Sequence, residues 1–138
     1  MMKSSVYNCS IIELDRHHRP QGNISVVENC RTLPFEIKRV YYLYDVPGGE
    51  SRGAHAHKKL YQLIVAASGS FSVTLDDGKV KRTFMLNRPY QGLIVVPGIW
   101  RTLDDFSSGS VCLVLASEEY DSADYIRNYD DFIVYKNE

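Results

Sequence analysis

Two histidines, His55 and His57, stand two residues apart in the segment RGAHAHKKLYQ, Arg52 to Gln62. On an extended strand such residues point to the same face, so the two imidazoles project side by side. Imidazole titrates near neutral pH and is also a common metal ligand. The pair therefore either holds a metal ion or moves a proton. Arg52, Lys58 and Lys59 lie close by in sequence.

Strands must position this pair, and the sequence is rich in them. Short apolar or alternating runs recur at Ile24–Val27, Phe35–Val46, Leu60–Ala67, Ser70–Leu75, Gly92–Val96 and Ser110–Ala116. Asp77-Gly78 is a two-residue hairpin signal, Ser68-Gly69 splits two runs, and Pro97-Gly98 ends another. Ten tyrosines add to the β character. The spacing predicts an all-β antiparallel sandwich or barrel. Helix is confined to a short helix or turn over Ser122–Tyr129, where Asp121, Ser122 and Asp124 are N-cap residue types.

The bulk properties narrow the class. A length of 138 residues predicts one domain, residues 1–138, with a single core. A net charge of -1 gives no basic footprint for nucleic acid or an anionic membrane. Cys9, Cys30 and Cys112 are odd in number and form no CxxC pair, as expected of reduced thiols in a cytoplasmic protein. MMKSSVYNCS lacks the apolar stretch of a signal peptide, and no run approaches the ~20 residues of a membrane span. No Gly-rich dinucleotide fingerprint is present, so no cofactor is expected.

The strands and the histidine pair together resemble the cupin superfamily, double-stranded β-helix barrels of the jelly-roll kind. The first cupin motif maps to Gly49, His55, His57, Gln62 and Gly69, with Gln62 where a glutamate is usual. The second maps to Gly92 and Pro97, but the chain continues Gly98-Ile99-Trp100-Arg101 and the usual histidine is missing. A catalytic metal usually has three or more protein ligands. An amide, an indole and a guanidinium do not supply them, so no metal is expected. His17 and His18 lie in the polar stretch DRHHRPQGN and read as solvated loop residues.

Without metal, two imidazoles in a barrel pocket suit general acid–base catalysis. The stretch FEIKRVYYLYDVPGGESRGAHAHKKLYQ is similar to the bacterial dTDP-sugar 3,4-ketoisomerases, a metal-independent cupin family. SGSFSVTLDDG, GLIVVPGIW and VLASEEYDSADYIRNYDDF agree, so the resemblance spans about residue 24 to about residue 133. It implies an isomerase that moves the keto group of dTDP-4-keto-6-deoxyglucose from C4 to C3 through an enediol or enediolate. The product would be a 3-keto sugar ready for amination toward deoxyamino sugars of bacterial surface glycans. A metal-dependent cupin enzyme and a non-catalytic nucleotide-sugar-binding module are the alternatives.

Such a reaction needs a base for the C3 proton, a donor to the developing oxyanion and a proton route between the oxygens. His55 and His57 are the base and its partner, with a lean to His55 that the sequence leaves open. Tyr41 is the candidate donor and shares a strand face with Arg39. By resemblance, Tyr41 and Arg101 line the sugar pocket. Arg39, Arg52 and Lys58 are the candidates for the diphosphate. Gln62 would hydrogen-bond the sugar or His57. Trp100 serves either as a flat wall for a ring or as a core residue. Glu28 and the C-terminal acidic stretch read as surface charge. The resemblance also makes Arg101 the mark of members that keep the gluco configuration at C4, while Gln21 matches neither known pattern. It further implies a homodimer in which N-terminal strands are exchanged.

Overall fold

The computed structural model describes residues 4–29 and 31–138, so Cys30 lies outside the described residues. Twelve short strands carry the chain: β1 (Ser10–Glu13), β2 (Asp15–Arg19), β3 (Gly22–Val26), β4 (Arg39–Leu43), β5 (Arg52–His57), β6 (Gln62–Ser68), β7 (Phe71–Asp76), β8 (Lys81–Leu86), β9 (Gln91–Val95), β10 (Trp100–Asp104), β11 (Val111–Ala116) and β12 (Tyr125–Ile126). One sheet has the order β1-β9-β6-β11-β4 and the other β12-β5-β10-β7-β8, with antiparallel pairing throughout. This is the antiparallel two-sheet arrangement that the strand spacing predicts, in the jelly-roll form that the cupin resemblance implies.

Alternation sorts the side chains. Ile64 and Ala66 of β6, Leu93 and Val95 of β9, and Cys112 and Val114 of β11 face Phe71, Val73 and Leu75 of β7 and Leu103 of β10 in one buried cluster. Their neighbours Leu63, Val65, Ile94 and Leu115 point the other way, into a second cluster with Leu14 and Leu33. The first sheet is thus apolar on both faces, which is why β6 reads as a continuous run rather than an alternating one. Phe35 and Ile37 cover that outer face with Leu33. The run Phe35–Val46 is therefore not one strand: only Arg39–Leu43 joins the sheet. Gly92 is a packing requirement, because a Cβ there would collide with the Leu63 side chain.

One expectation about local structure is corrected and another is narrowed. The polar stretch around His17 and His18 is no loop but a hairpin, with Arg19 opposite Gly22 and Pro20-Gln21 as its turn. Its first strand, β2, is exposed along its whole length, so the solvated character holds. Of the short helix or turn expected over Ser122–Tyr129, the turn forms, and the α-helix lies further on. Asp121 caps a single 3₁₀ turn, Ser122–Asp124, and Tyr125–Ile126 then pairs with β5. The α-helix follows as α1, Tyr129–Lys136, with Asn128 as N-cap, Asp130 and Asp131 in its first turn and Lys136 in its last. Phe132 of α1 is fully buried against Trp100, Ala56 and Ile126, fastening the helix over β5. The Asp77-Gly78 hairpin forms as expected, with the Asp77 side chain accepting from the Lys79 and Val80 N–H groups.

Candidate active site

β5 carries the histidine pair and is flanked on both sides. Arg101 of β10 is the cross-strand partner of His55, and Tyr125 of β12 is that of His57. A cavity of about 510 Å³ opens between the sheets here. β5 contributes Arg52, Gly53, Ala54 and His55; Arg101, Tyr125 and Arg127 come from the same side; and Arg39, Tyr41 and Leu43 of β4 line it from the opposite sheet. The i, i+2 spacing of Arg39 and Tyr41 puts both into the cavity, as the sequence suggests. Gly53 has φ 67, and a Cβ there would lie 3.3 Å from an Arg101 guanidinium nitrogen. Glycine thus lets the β5 backbone turn beneath that side chain.

The polar groups form a connected chain. Arg101 Nη2 donates to the Tyr41 hydroxyl at 2.9 Å and lies 3.1 Å from His55 Nε2. His55 Nε2 is 3.1 Å from His57 Nε2, and His57 Nδ1 is 2.9 Å from Asp124 Oδ2. Asp124 Oδ1 accepts from the Lys59 N–H at 2.6 Å. The carboxylate only accepts, so His57 Nδ1 holds the proton between them and neutral His57 offers a bare Nε2 to His55. His55 Nε2 then faces a lone pair on one side and an arginine N–H on the other. It donates to His57 in one tautomer and accepts from Arg101 in the other. The proton between the rings is therefore balanced between two hydrogen-bonding schemes.

The two rings differ in access. His55 is 7% exposed and lines the cavity, whereas His57 is 1% exposed and lies behind it. Burial, reinforced by Arg101, pushes the His55 pKa down to about 2. Burial also pushes His57 down, to about 4, with the Asp124 hydrogen bond opposing the shift and Arg101 adding to it. Both rings are neutral near pH 7, the form a base requires. Arg101 is itself 1% exposed, and its Nε and Nη1 make no hydrogen bond among the described residues; the same holds for Arg39 Nε.

The other expected site residues separate. Arg52 stands exposed at the cavity mouth, where it also borders a hollow of about 480 Å³ lined by Tyr44, Asp45, Val46 and Pro47. Lys58 is exposed and does not line the cavity; it borders a different cleft with Tyr135 and Glu138. Trp100 is no cavity wall either: its ring packs edge-on against Tyr129 and against Phe132, so the core alternative holds. Gln62 is buried, forms no bond to His57, and leaves its Oε1 without a partner among the described residues. Among the described residues no three His, Cys, Asp or Glu side chains converge as metal ligands. The position opposite His55 is instead held by the Arg101 guanidinium.

Three residues escaped the sequence reading. Asp124 is 4% exposed and bonded to His57, which corrects the reading of the C-terminal acidic stretch as surface charge. Tyr125 lies with its ring centroid 5.0 Å from His55 and 4.3 Å from His57, and its hydroxyl accepts from Arg39 Nη2 at 3.2 Å. Arg127 stacks over the Tyr125 ring at 4.1 Å and lines the cavity. The only local signal is Tyr125 and Arg127 at strand spacing around Ile126.

Comparison with known proteins is consistent with this geometry. The family model described as FdtA: WxcM-like, C-terminal matches residues 7–137. A curated relative from Aneurinibacillus thermoaerophilus, a TDP-4-oxo-6-deoxy-alpha-D-glucose-3,4-oxoisomerase, is 49% identical over 115 residues, 83% of each chain. The crystal structure of a TDP-quinovose 3,4-ketoisomerase from Campylobacter jejuni superposes with a TM-score of 0.87 at 46% identity, covering 92% of this chain and 98% of that one. A 3,4-ketoisomerase from Thermoanaerobacterium thermosaccharolyticum, crystallised as a histidine-to-asparagine variant with TDP-4-keto-6-deoxyglucose, gives a TM-score of 0.94 at 39% identity over 96% of both chains.

Proposed function

The chain belongs to the FdtA family and is a sugar 3,4-ketoisomerase with a cupin-like fold; from that premise we propose that it converts dTDP-4-keto-6-deoxyglucose to the 3-keto isomer with His55 as the base. The observation that carries this reading is that His55, of the two histidines, lines the cavity and sits beside the Arg101 and Tyr41 donors. His55 removes the C3 proton, which the C4 carbonyl acidifies. The C3–H electrons form a C3=C4 double bond and charge moves onto O4. Arg101 Nη2 and the Tyr41 hydroxyl supply fixed donors for that oxyanion. O4 keeps its carbon and takes the proton that O3 releases as the C3 carbonyl forms, and C4 takes its proton from His55, so the two protons lost at C3 and O3 are those gained at C4 and O4. No net oxidation occurs, so no redox partner is required.

His57 acts behind His55, held in one tautomer by Asp124. Arg39, Arg52 and Arg127 serve the diphosphate, whereas Lys58 does not line the cavity. Arg101 is a permanent cation and a poor proton donor, so C4 receives its proton from the His55 face and keeps the gluco configuration. The metal-dependent and non-catalytic alternatives are not favoured, since a buried guanidinium beside His55 would repel a dication and the donors surround a competent base.

The protein acts in the cytoplasm as a homodimer built through its N-terminal strands. The exposed β2–β3 hairpin and the edge strand β4, with Val40, Tyr42 and Tyr44 turned outward, support that reading. No helix among the described residues is long and apolar enough to cross a membrane. Incubation with dTDP-4-keto-6-deoxyglucose in D2O, followed by NMR, should show a 3-keto product with gluco configuration at C4. Well-folded protein that neither isomerises the sugar nor exchanges its ring hydrogens would refute the assignment. A galacto product would refute only the stereochemistry, and a monomer in analytical ultracentrifugation the dimer.

A further inference from the structure

Among the described residues no carboxylate lies within ion-pair distance of Arg39, and its buried Nε makes no hydrogen bond. What holds its guanidinium is aromatic. Nη2 donates to the Tyr125 hydroxyl at 3.2 Å, and the guanidinium carbon lies 5.2 Å from the Tyr41 ring centroid and 5.5 Å from that of Tyr120. Tyr41 and Tyr125 line the reaction cavity, whereas Tyr120 does not. Tyr120 is 61% exposed, so burial in a core does not account for its ring. The ring packs instead on that of Tyr125, centroids 5.6 Å apart, and meets Arg39 without entering the cavity. The short segment that carries it is fastened at both ends. The Ser117 N–H donates to the Tyr61 carbonyl and the Tyr61 N–H to Ser117 Oγ, while the Asp121 side chain caps the 3₁₀ turn that follows. Glu118 and Glu119 precede Tyr120 in the chain, yet neither pairs with Arg39.

We propose that Tyr120 is a positioning residue that holds the Arg39 guanidinium in the orientation that meets the substrate's diphosphate. The proposal rests on the ketoisomerase reading above, in which Arg39 serves that group. An arginine side chain is long, and fixing it before the ligand arrives removes an ordering cost from binding. A carboxylate would fix it too, but would neutralise the charge and compete with phosphate for the same N–H groups. An aromatic ring attracts the cation through its quadrupole and leaves the full charge for the ligand. Tyr41 and Tyr125 share the cavity with the substrate, and Tyr41 also accepts from Arg101. Tyr120 is the aromatic contact of Arg39 that lies outside the cavity, so a ligand filling the cavity does not displace it.

The test is a double-mutant cycle read by calorimetric titration with TDP. In the wild-type background Tyr120→Ala should weaken TDP binding by about fivefold, and Tyr120→Phe, which keeps the ring, should retain most of the affinity. With Arg39→Gln already in place, Tyr120→Ala should change Kd by less than about twofold. A merely structural role for Tyr120 would weaken binding equally in both backgrounds, and that result overturns the proposal. So does an unchanged Kd in Tyr120→Ala, or a Tyr120→Phe protein that binds as weakly as Tyr120→Ala. Should Tyr120→Ala not fold, Tyr120→Leu, which keeps bulk and removes the aromatic face, decides in its place. If Arg39→Gln binds TDP as the wild type does, Arg39 does not serve the diphosphate and the proposal falls with that assignment, while wild-type turnover still upholds the isomerase reading. A wild-type protein that neither binds TDP nor turns over refutes the isomerase reading and the proposal with it.

Discussion

His55 is a neutral base whose Nε2 lies between the Arg101 donor and the bare Nε2 of His57, and each neighbour has a separable effect. His55→Asn preserves a polar side chain of similar reach but no base, so turnover should fall by about 10²–10⁴-fold while nucleotide binding persists. Comparable kcat in the variant would remove His55 from the chemistry. Arg101 is the second cause, after burial, of the low His55 pKa. In Arg101→Gln the acid limb of the kcat/KM profile should therefore move to higher pH, alongside a loss of rate from the missing oxyanion donor. An unmoved limb would show that another group sets it. The histidine pair and its Arg39 and Tyr41 partners were legible because strand periodicity alone aligns i and i+2. Asp124 was not, because it lies 67 residues from His57 and acidic local sequence reads as solvent-facing. Its burial is decided by a partner that only the fold brings near.

At the scale of elements, the site depends on the C-terminal segment being fastened to β5. β12 is only two residues long, and by itself such a strand would fray. Phe132 of α1, packed on Trp100 and Ile126, holds it in place. Phe132→Ala should destabilise the fold by about 3–5 kcal/mol in urea titration. Trp100→Phe should also lower stability yet leave KM nearly unchanged, since the indole lies outside the cavity. A large KM increase in a stable Trp100→Phe protein would return that ring to the sugar pocket. The positions of β3, β4, β6, β7, β9 and β11 were readable from apolar runs and turn residues, whereas β1, β2, β10 and β12 were not. Of the helix or turn expected there, the turn formed because Asp121 caps one 3₁₀ turn; the Tyr125–Ile126 backbone then pairs with β5 instead of continuing a helix. Phe35 and Ile37 misled, being apolar in order to cover a sheet rather than to join one.

The whole molecule registers the same buried rings in its response to acid. Both histidines have folded-state pKa values below the unfolded value of about 6.5. Below that pH the unfolded chain binds protons that the folded chain does not, so stability falls as pH falls. The loss begins near pH 6.5 and continues toward pH 4, where His57 titrates in the folded state, and beyond it for His55. Between pH 6.5 and pH 5 it should approach about 2 kcal/mol for each ring, read as a lower urea midpoint with unchanged slope. A midpoint flat over that interval would mean that the rings are not held neutral.

The pocket's guanidiniums carry a further consequence. Among the described residues no carboxylate lies within ion-pair distance of Arg39 or Arg101. The cavity is thus wound like a spring by its own positive charge: buried Arg101 and half-buried Arg39 both face an opening that an anion would neutralise. Part of the work of holding the active conformation is deferred to the ligand. A nucleotide diphosphate then acts as a missing structural element as well as a substrate handle, and the fold should melt later and titrate more evenly once it is in place.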